Sequence, residues 1–101
     1  MYVAKKGDDL DAALERELTG FKLKFPIKKY DGGYYIFGTK KIFIKVLLER
    51  LVVRVGTGFL PFQEFMNSYY DREVETVFKK ALELNITVEE VVRQIEDQYA
   101  G

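Results

Sequence analysis

The sequence predicts an α+β domain, with a small antiparallel sheet of about five strands, a short N-terminal helix and two to three C-terminal helices. Apolar residues recur at helical spacing near both ends of the chain, whereas the middle alternates between apolar and polar residues. Glycine-containing turn signals separate the alternating segments, as expected for strands joined in sequence. At 101 residues and 48% apolar composition, the chain can build one modest core.

The first helix is predicted from a helical spacing of apolar residues that follows Asp8 and Asp9. Either aspartate can cap the helix, because its side chain accepts hydrogen bonds from the first free backbone N–H groups. Gly20 stands where the helix should stop. The residues that share the apolar stripe are Leu10, Ala13, Leu14 and Leu18.

The first two strands are predicted on either side of a glycine-rich turn. Segment 21–29 alternates between apolar residues and lysines, although Pro26 favours an edge position or a break. The sequence Tyr30-Asp31-Gly32-Gly33-Tyr34 indicates a hairpin, because Asp and Gly tolerate the positive φ of tight turns. Segment 34–37 forms the return strand, and segment 38–40 turns again.

Segments 41–48 and 50–55 are rich in Ile and Val and are predicted as the two central strands. Alternate residues of a strand point to opposite faces, so each strand has one fully aliphatic face that should turn inward. The residues predicted to be largely buried are Ile44, Val46, Val53 and Val55, with Phe59 and Phe65 from the segments that follow. The opposite, outer face combines basic and apolar residues: Lys41, Phe43, Lys45 and Leu47 on the first strand, and Arg50, Val52 and Arg54 on the second.

The C-terminal part of the chain is predicted to be helical. Gly56-Thr57-Gly58 makes a sharp corner, and a phosphate-binding role is disfavoured because no Gly-Lys-Ser/Thr follows. Pro61 then starts a short helix to about Tyr70, and two further helices follow. Thr87-x-x-Glu90 is a capping box for the last of them. We divide the chain into an N-terminal extension (1–20), an α+β domain (21–70) and a C-terminal helical extension packed on it (71–101).

The composition excludes several classes of function. The chain has no Cys and no His, so it lacks the residues of an ordinary zinc site, a Cys nucleophile or a Ser-His-Asp triad. No apolar run approaches the roughly 18 residues that span a bilayer. We therefore predict no catalytic residues, no metal, no cofactor and no membrane partner, in a protein of the cytoplasm.

The net charge of zero conceals a basic block in the middle of the chain. Residues 20–56 contain nine basic and two acidic residues, a net +7, and the rest of the chain compensates with seven basic and fourteen acidic ones. Such a block attracts anionic partners even when the total charge cancels. The residues predicted to form the binding site are Lys28, Lys29, Lys40, Lys41, Phe43, Lys45, Arg50 and Arg54.

Four pieces of sequence between residues 35 and 66 resemble one known family. They are Tyr35-Ile36-Phe37-Gly38, Lys45-Val46-Leu47, Val53-Arg54-Val55-Gly56-Thr57-Gly58-Phe59 and Phe62-Gln63-Glu64-Phe65-Met66. This order and spacing is similar to the growth-arrest-specific-two-related (GAR) domain of spectraplakin-type cytoskeletal linkers. That family runs Tyr-x-Phe-Gly, a basic-aliphatic strand, Val-Arg-Val-Gly-Gly-Gly-Trp and a helix opening Leu-Asp-Glu-Phe-Leu. The similarity covers about residues 25–70.

The resemblance implies a compact α+β domain that binds microtubules, in proteins that also engage actin or carry EF-hands. The chain departs from the family in two ways. The family holds zinc through Cys and related ligands that this chain lacks, and the family Trp is Phe59 here. We therefore expect a cytoskeletal module without metal, with microtubules or tubulin as its partner and other cytoskeletal proteins as further candidates.

Two other interpretations remain open at the sequence level. The chain could be an interaction or structural domain of a larger cytoskeletal or ciliary protein, with its acidic last helices as the working surface. A nucleic-acid-binding domain is less favoured, although Phe43 and Tyr35 on a basic sheet could stack on single-stranded bases. The acidic ends and the lack of an RNP-like motif argue against it.

Overall fold

A five-stranded antiparallel sheet with three helices makes up residues 9–100, the part of the chain that the computed structural model describes. This architecture confirms the predicted α+β class. Asp8, one of the two predicted caps of the first helix, lies outside the described residues. The elements are α1 (Asp9–Glu17), β1 (Ile27–Asp31), β2 (Tyr34–Phe37), β3 (Lys40–Leu47), β4 (Arg50–Val55), β5 (Gly58–Pro61), α2 (Phe62–Leu84) and α3 (Val88–Ala100).

The sheet is a meander in which each strand pairs with the next one along the chain. In the register of the central strands, Ile44 lies opposite Val53, and Val53 lies opposite Leu60 of β5. Directly opposed residues of an antiparallel pair share a face. We call the face that carries Ile44 and Val53 the inner face, because it meets α1 and α2, and the opposite one the outer face.

The main part of the core lies between the inner face and helices α1 and α2, and it holds a cluster of aromatic rings. The Phe37 ring meets the rings of Phe25 and Phe65 edge-on, each at 5.1 Å between centroids. Tyr70 stacks on Phe25 at 5.4 Å, and its hydroxyl accepts a 2.7 Å hydrogen bond from the backbone N–H of Lys24. Burial raises the pKa of the Tyr70 phenol, since the ionised form would lose its hydration.

The segment before β1 takes the second of the two arrangements that Pro26 allows. Alternation predicts a strand over 21–29 with an edge position or a break at Pro26, and the structure has the break, since β1 begins at Ile27. Pro26 has no N–H to donate to a neighbouring strand. The preceding residues instead wrap around α2, with the Phe21 ring edge-on to Tyr70 at 5.1 Å.

The predicted core residues divide into two groups. Ile44 and Val53 are fully buried and Phe65 is 5% exposed, as predicted. Val46 is 51% exposed, so that prediction is wrong: it lies near the β3–β4 turn, at the end of the hairpin. Val55 and Phe59 are only partly buried. Phe59 pairs with Arg54, which places its ring on the outer face and not in the core.

The C-terminal region contains two helices within the described residues. One continuous helix, α2, replaces the predicted pair that was expected to break near Tyr70, because no Pro or Gly interrupts residues 62–84. Asn85 ends α2 with a left-handed φ of 56°, and the Ile86 N–H bonds back to the Ala81 carbonyl.

The start of α3 follows the predicted capping box in part. The Thr87 hydroxyl accepts a 3.1 Å hydrogen bond from the Glu90 N–H, as expected for a helix cap. The Glu90 side chain binds Arg93 instead of turning back to Thr87. Three aliphatic residues of α3 are buried against α2 and β2: Val91, Val92 and Ile95.

Candidate binding face

The outer face of the sheet carries the basic and apolar residues that alternation along β3 and β4 predicts. Lys45 lies opposite Val52, and Leu47 lies opposite Arg50. Because alternate residues share a face, Lys41 and Phe43 join Lys45 on this side, and Arg54 joins Arg50. The β4–β5 register adds Phe59 beside Arg54.

Helix α3 covers the half of the outer face that β1 and β2 form. Lys28 approaches Glu96 of α3, with 4.0 Å between its Nζ and the carboxylate Oε1. Lys41 Nζ lies over three tyrosine rings, at 4.8 Å from the centroid of Tyr34 and 5.1 Å from those of Tyr30 and Tyr99. An ammonium over an aromatic ring is attracted by the negative face of the π-system. Two predicted site residues, Lys28 and Lys41, are thus engaged within the domain.

The other half of the outer face remains accessible, and we call Phe43, Lys45, Leu47, Arg50 and Arg54 the free basic face. Lys45 Nζ lies 4.4 Å from the centroid of the Phe59 ring, which holds the ammonium along the sheet surface. Arg50, Arg54 and Leu47 are exposed. Within residues 9–100, no carboxylate forms an ion pair with any of the three cations of this face.

Lys29 and Lys40, which were predicted to belong to the same site, lie elsewhere. Lys29 pairs with Tyr35, so it projects toward the inner side of the edge strand, where its Nζ is 5.1 Å from the Tyr35 ring. Lys40 starts β3 opposite Phe37, at the far end of the strand from Leu47. The structure therefore does not bring all eight predicted residues together.

A cavity of about 220 Å³ opens between α2 and the ends of β3 and β4. Its lining combines three cations, Lys40, Arg54 and Arg72, with the carboxylate of Glu73 and with apolar and aromatic side chains. Arg72 lies outside the basic block of the sequence, and α2 carries it back to the sheet. Only the packing of α2 on the sheet reveals this third cation.

The Tyr-x-Phe-Gly motif has a structural explanation. Gly38 turns between β2 and β3 with a φ of +63°, and a Cβ at this position would lie 2.5 Å from Oε2 of Glu73. The buried Glu73 carboxylate accepts hydrogen bonds from the N–H of Thr39 at 2.7 Å and from its hydroxyl at 2.6 Å. The glycine thus allows α2 to dock its glutamate onto the turn.

The tyrosine of the same motif is also a structural residue. Tyr35 is fully buried, and its hydroxyl donates a 3.1 Å hydrogen bond to Oδ1 of Asp11 on α1. This hydrogen bond joins the N-terminal helix to the sheet and satisfies a buried phenol. Tyr35 therefore offers no ring surface to a ligand.

The glycine-rich turn before β5 and the carboxylate of Glu90 both have structural roles. Gly56-Thr57-Gly58 forms the turn into β5, with a φ of +61° at Gly56, and no helix begins there. Glu90 is partly exposed and bound to Arg93, whose guanidinium lowers the pKa of that carboxyl. No helix between residues 9 and 100 is long and apolar enough to cross a membrane.

Comparison with protein families matches residues 10–81 to the growth-arrest-specific protein 2 domain. The chain belongs to this family. The match confirms the resemblance seen in the motifs and extends it to α1 and to most of α2. The family is a cytoskeleton-associated domain and not a known enzyme family. Comparisons with curated proteins and with solved structures found no significant match.

The zinc site of the growth-arrest-specific protein 2 family does not fit this chain. The sequence has neither Cys nor His, and no three Asp or Glu side chains in the described part are grouped to hold a metal ion. Carboxylates alone suit hard cations and not structural zinc. We predict that a chelator leaves the thermal unfolding midpoint unchanged, and a drop of several degrees would show that a metal contributes to the fold.

Proposed function

We propose that this domain binds microtubules through the free basic face, with Lys45, Arg50 and Arg54 as the cationic contacts. The supporting observation is that these three cations lie beside exposed apolar side chains without a carboxylate partner among the described residues. A basic patch whose cations form no ion pair within residues 9–100 suits an acidic filament when it lies on a cytoskeleton-associated domain. The proposal places the protein on the cytoplasmic cytoskeleton.

Electrostatics gives each group a role in this interaction. The surface of tubulin is acidic and carries acidic tails, so cations accelerate the encounter and form charge-assisted hydrogen bonds with carboxylates. Phe43 and Leu47 supply apolar surface whose burial adds free energy of binding. Lys28 and Lys41 contribute less, because α3 and the tyrosine rings already engage them.

Helix α3 lies outside the matched range and carries four acidic residues, Glu89, Glu90, Glu96 and Asp97. Its buried valines and isoleucine support a role as cover for the core, and Glu96 and Tyr99 also occupy part of the basic surface. The division into segments 1–20, 21–70 and 71–101 stays a prediction.

Co-sedimentation of the domain with microtubules tests the proposal. We expect binding that weakens as salt rises from about 50 to about 200 mM, because screening shortens the reach of surface charges. A single-stranded oligonucleotide at matched salt is the comparison ligand. Binding of the oligonucleotide alone would contradict the proposal.

The nucleic-acid interpretation loses support from the structure. It relied on Phe43 and Tyr35 as a stacking platform, and Tyr35 is buried. Phe43 is itself packed edge-on against Tyr34 at 5.0 Å between ring centroids. Stacking on a base requires an accessible ring face, so this surface suits a protein partner better.

A further inference from the structure

The turn of the β3–β4 hairpin combines two unusual features. Leu48 and Glu49 form a two-residue loop and both have left-handed backbones, with φ of 52° and 64°. This is the geometry of a type I′ turn, which strongly prefers Asn and Gly. A leucine in that conformation brings its Cβ close to the backbone, at a cost in stability. A strained residue at a solvent-exposed turn suggests a role other than folding.

The same turn exposes a continuous apolar surface. Val46 is 51% exposed, Leu47 is 43% exposed and Leu48 is 87% exposed. Val46 belongs to the inner face and Leu47 to the outer face, so the end of the hairpin is apolar on both sides. Lys45 and Arg50 flank it at the edge of the free basic face.

We infer that Val46, Leu47 and Leu48 form a prong that inserts into an apolar depression on an acidic protein surface. The inference rests on the proposed function, in which that surface belongs to the microtubule. The flanking cations complement acidic residues around such a depression, and the aliphatic side chains add the desolvated centre that interfaces require. Charge would guide the encounter, and the prong would slow dissociation.

Glu49 argues for a protein partner in place of an anionic membrane. Its carboxylate lies at the turn beside Leu48 and is exposed. Inserting the turn into a bilayer would desolvate this charge next to headgroups of the same sign. A protein surface can donate a hydrogen bond to the Glu49 carboxylate and also offer an apolar contact to Leu48.

Substitution Leu48→Asn tests the inference because it should move stability and binding in opposite directions. Asn tolerates the left-handed backbone, so the thermal midpoint should rise by roughly 4 °C for a 100-residue domain. The loss of the apolar side chain should weaken microtubule binding about tenfold or more. Binding is measured by co-sedimentation and stability by thermal melting of the same preparation.

Two control variants accompany this substitution. Leu82→Asn removes a leucine of nearly the same exposure, 84% against 87%, on α2, so microtubule binding should be unchanged. Leu48→Met keeps an apolar side chain at the turn and should retain most of the binding. Anionic vesicles serve as the alternative surface. Because the prong is expected to bind protein and not lipid, all variants should bind the vesicles to the same extent as the wild type.

Each contrary outcome has a separate meaning. Unchanged microtubule binding by Leu48→Asn, while the wild type binds, would overturn the prong and leave the proposed function standing. A wild-type domain that does not co-sediment would overturn both. Vesicle binding that the same substitution abolishes would overturn the protein partner in favour of a membrane.

Discussion

Replacing Lys45 and Arg54 together with glutamate is expected to abolish co-sedimentation with microtubules and to leave the domain folded. Arg54 is exposed and Lys45 is partly so, and exposed charges contribute little to stability, typically under about 1 kcal/mol each. At an interface with an acidic polymer, reversal replaces attraction with repulsion and slows the encounter. Pelleting measures the binding, and a thermal melt of the variant measures the fold.

The matched control reverses Lys79 and Lys80 on the exposed surface of α2. It changes the net charge by the same amount, four units, but lies outside the free basic face. We expect it to retain most of the binding. Equal loss in both double variants would mean that binding follows net charge and requires no defined site. Full binding by the Lys45→Glu, Arg54→Glu double variant would show that the site lies on another surface.

Replacing Gly38 with alanine is expected to lower the free energy of unfolding by roughly 2–4 kcal/mol, more than the Gly56→Ala control described below. The added Cβ would enter the space of the Glu73 carboxylate, at 2.5 Å from Oε2, and the left-handed φ would be strained as well. Glu73 would then lose its hydrogen bonds to Thr39 inside the protein. Chemical denaturation monitored by circular dichroism measures the change in the free energy of unfolding.

Gly56→Ala separates the backbone contribution from the contact with Glu73. Gly56 has almost the same φ, +61°, but a Cβ there would meet no atom within 4 Å. The Gly56→Ala variant should therefore lose stability only through backbone strain, by about 1–2 kcal/mol. Equal losses at the two glycines would show that the carboxylate shifts without cost and that the docking of Glu73 is unimportant.

The sequence determines the local arrangement of the central strands. Alternation along β3 and β4 fixes that Ile44 and Val53 share one face and that Lys45 and Arg54 share the other, because successive side chains of a strand point to opposite sides. The charge count likewise locates the basic block without any knowledge of the fold. The family resemblance rests on motifs whose order survives in the chain, and the family match confirms it.

Only the tertiary structure decides which parts of those faces are covered. Lys41 and Lys45 are equivalent in the strand pattern, yet Tyr99 of α3 packs on the first and Phe59 of β5 on the second. Val46 lies on the inner face, as Ile44 does, but it remains half exposed at the end of the hairpin. Strand periodicity is a local property, since it follows from the geometry of adjacent residues. Coverage depends on helices far away in sequence, whose positions are set by the packing of the whole core.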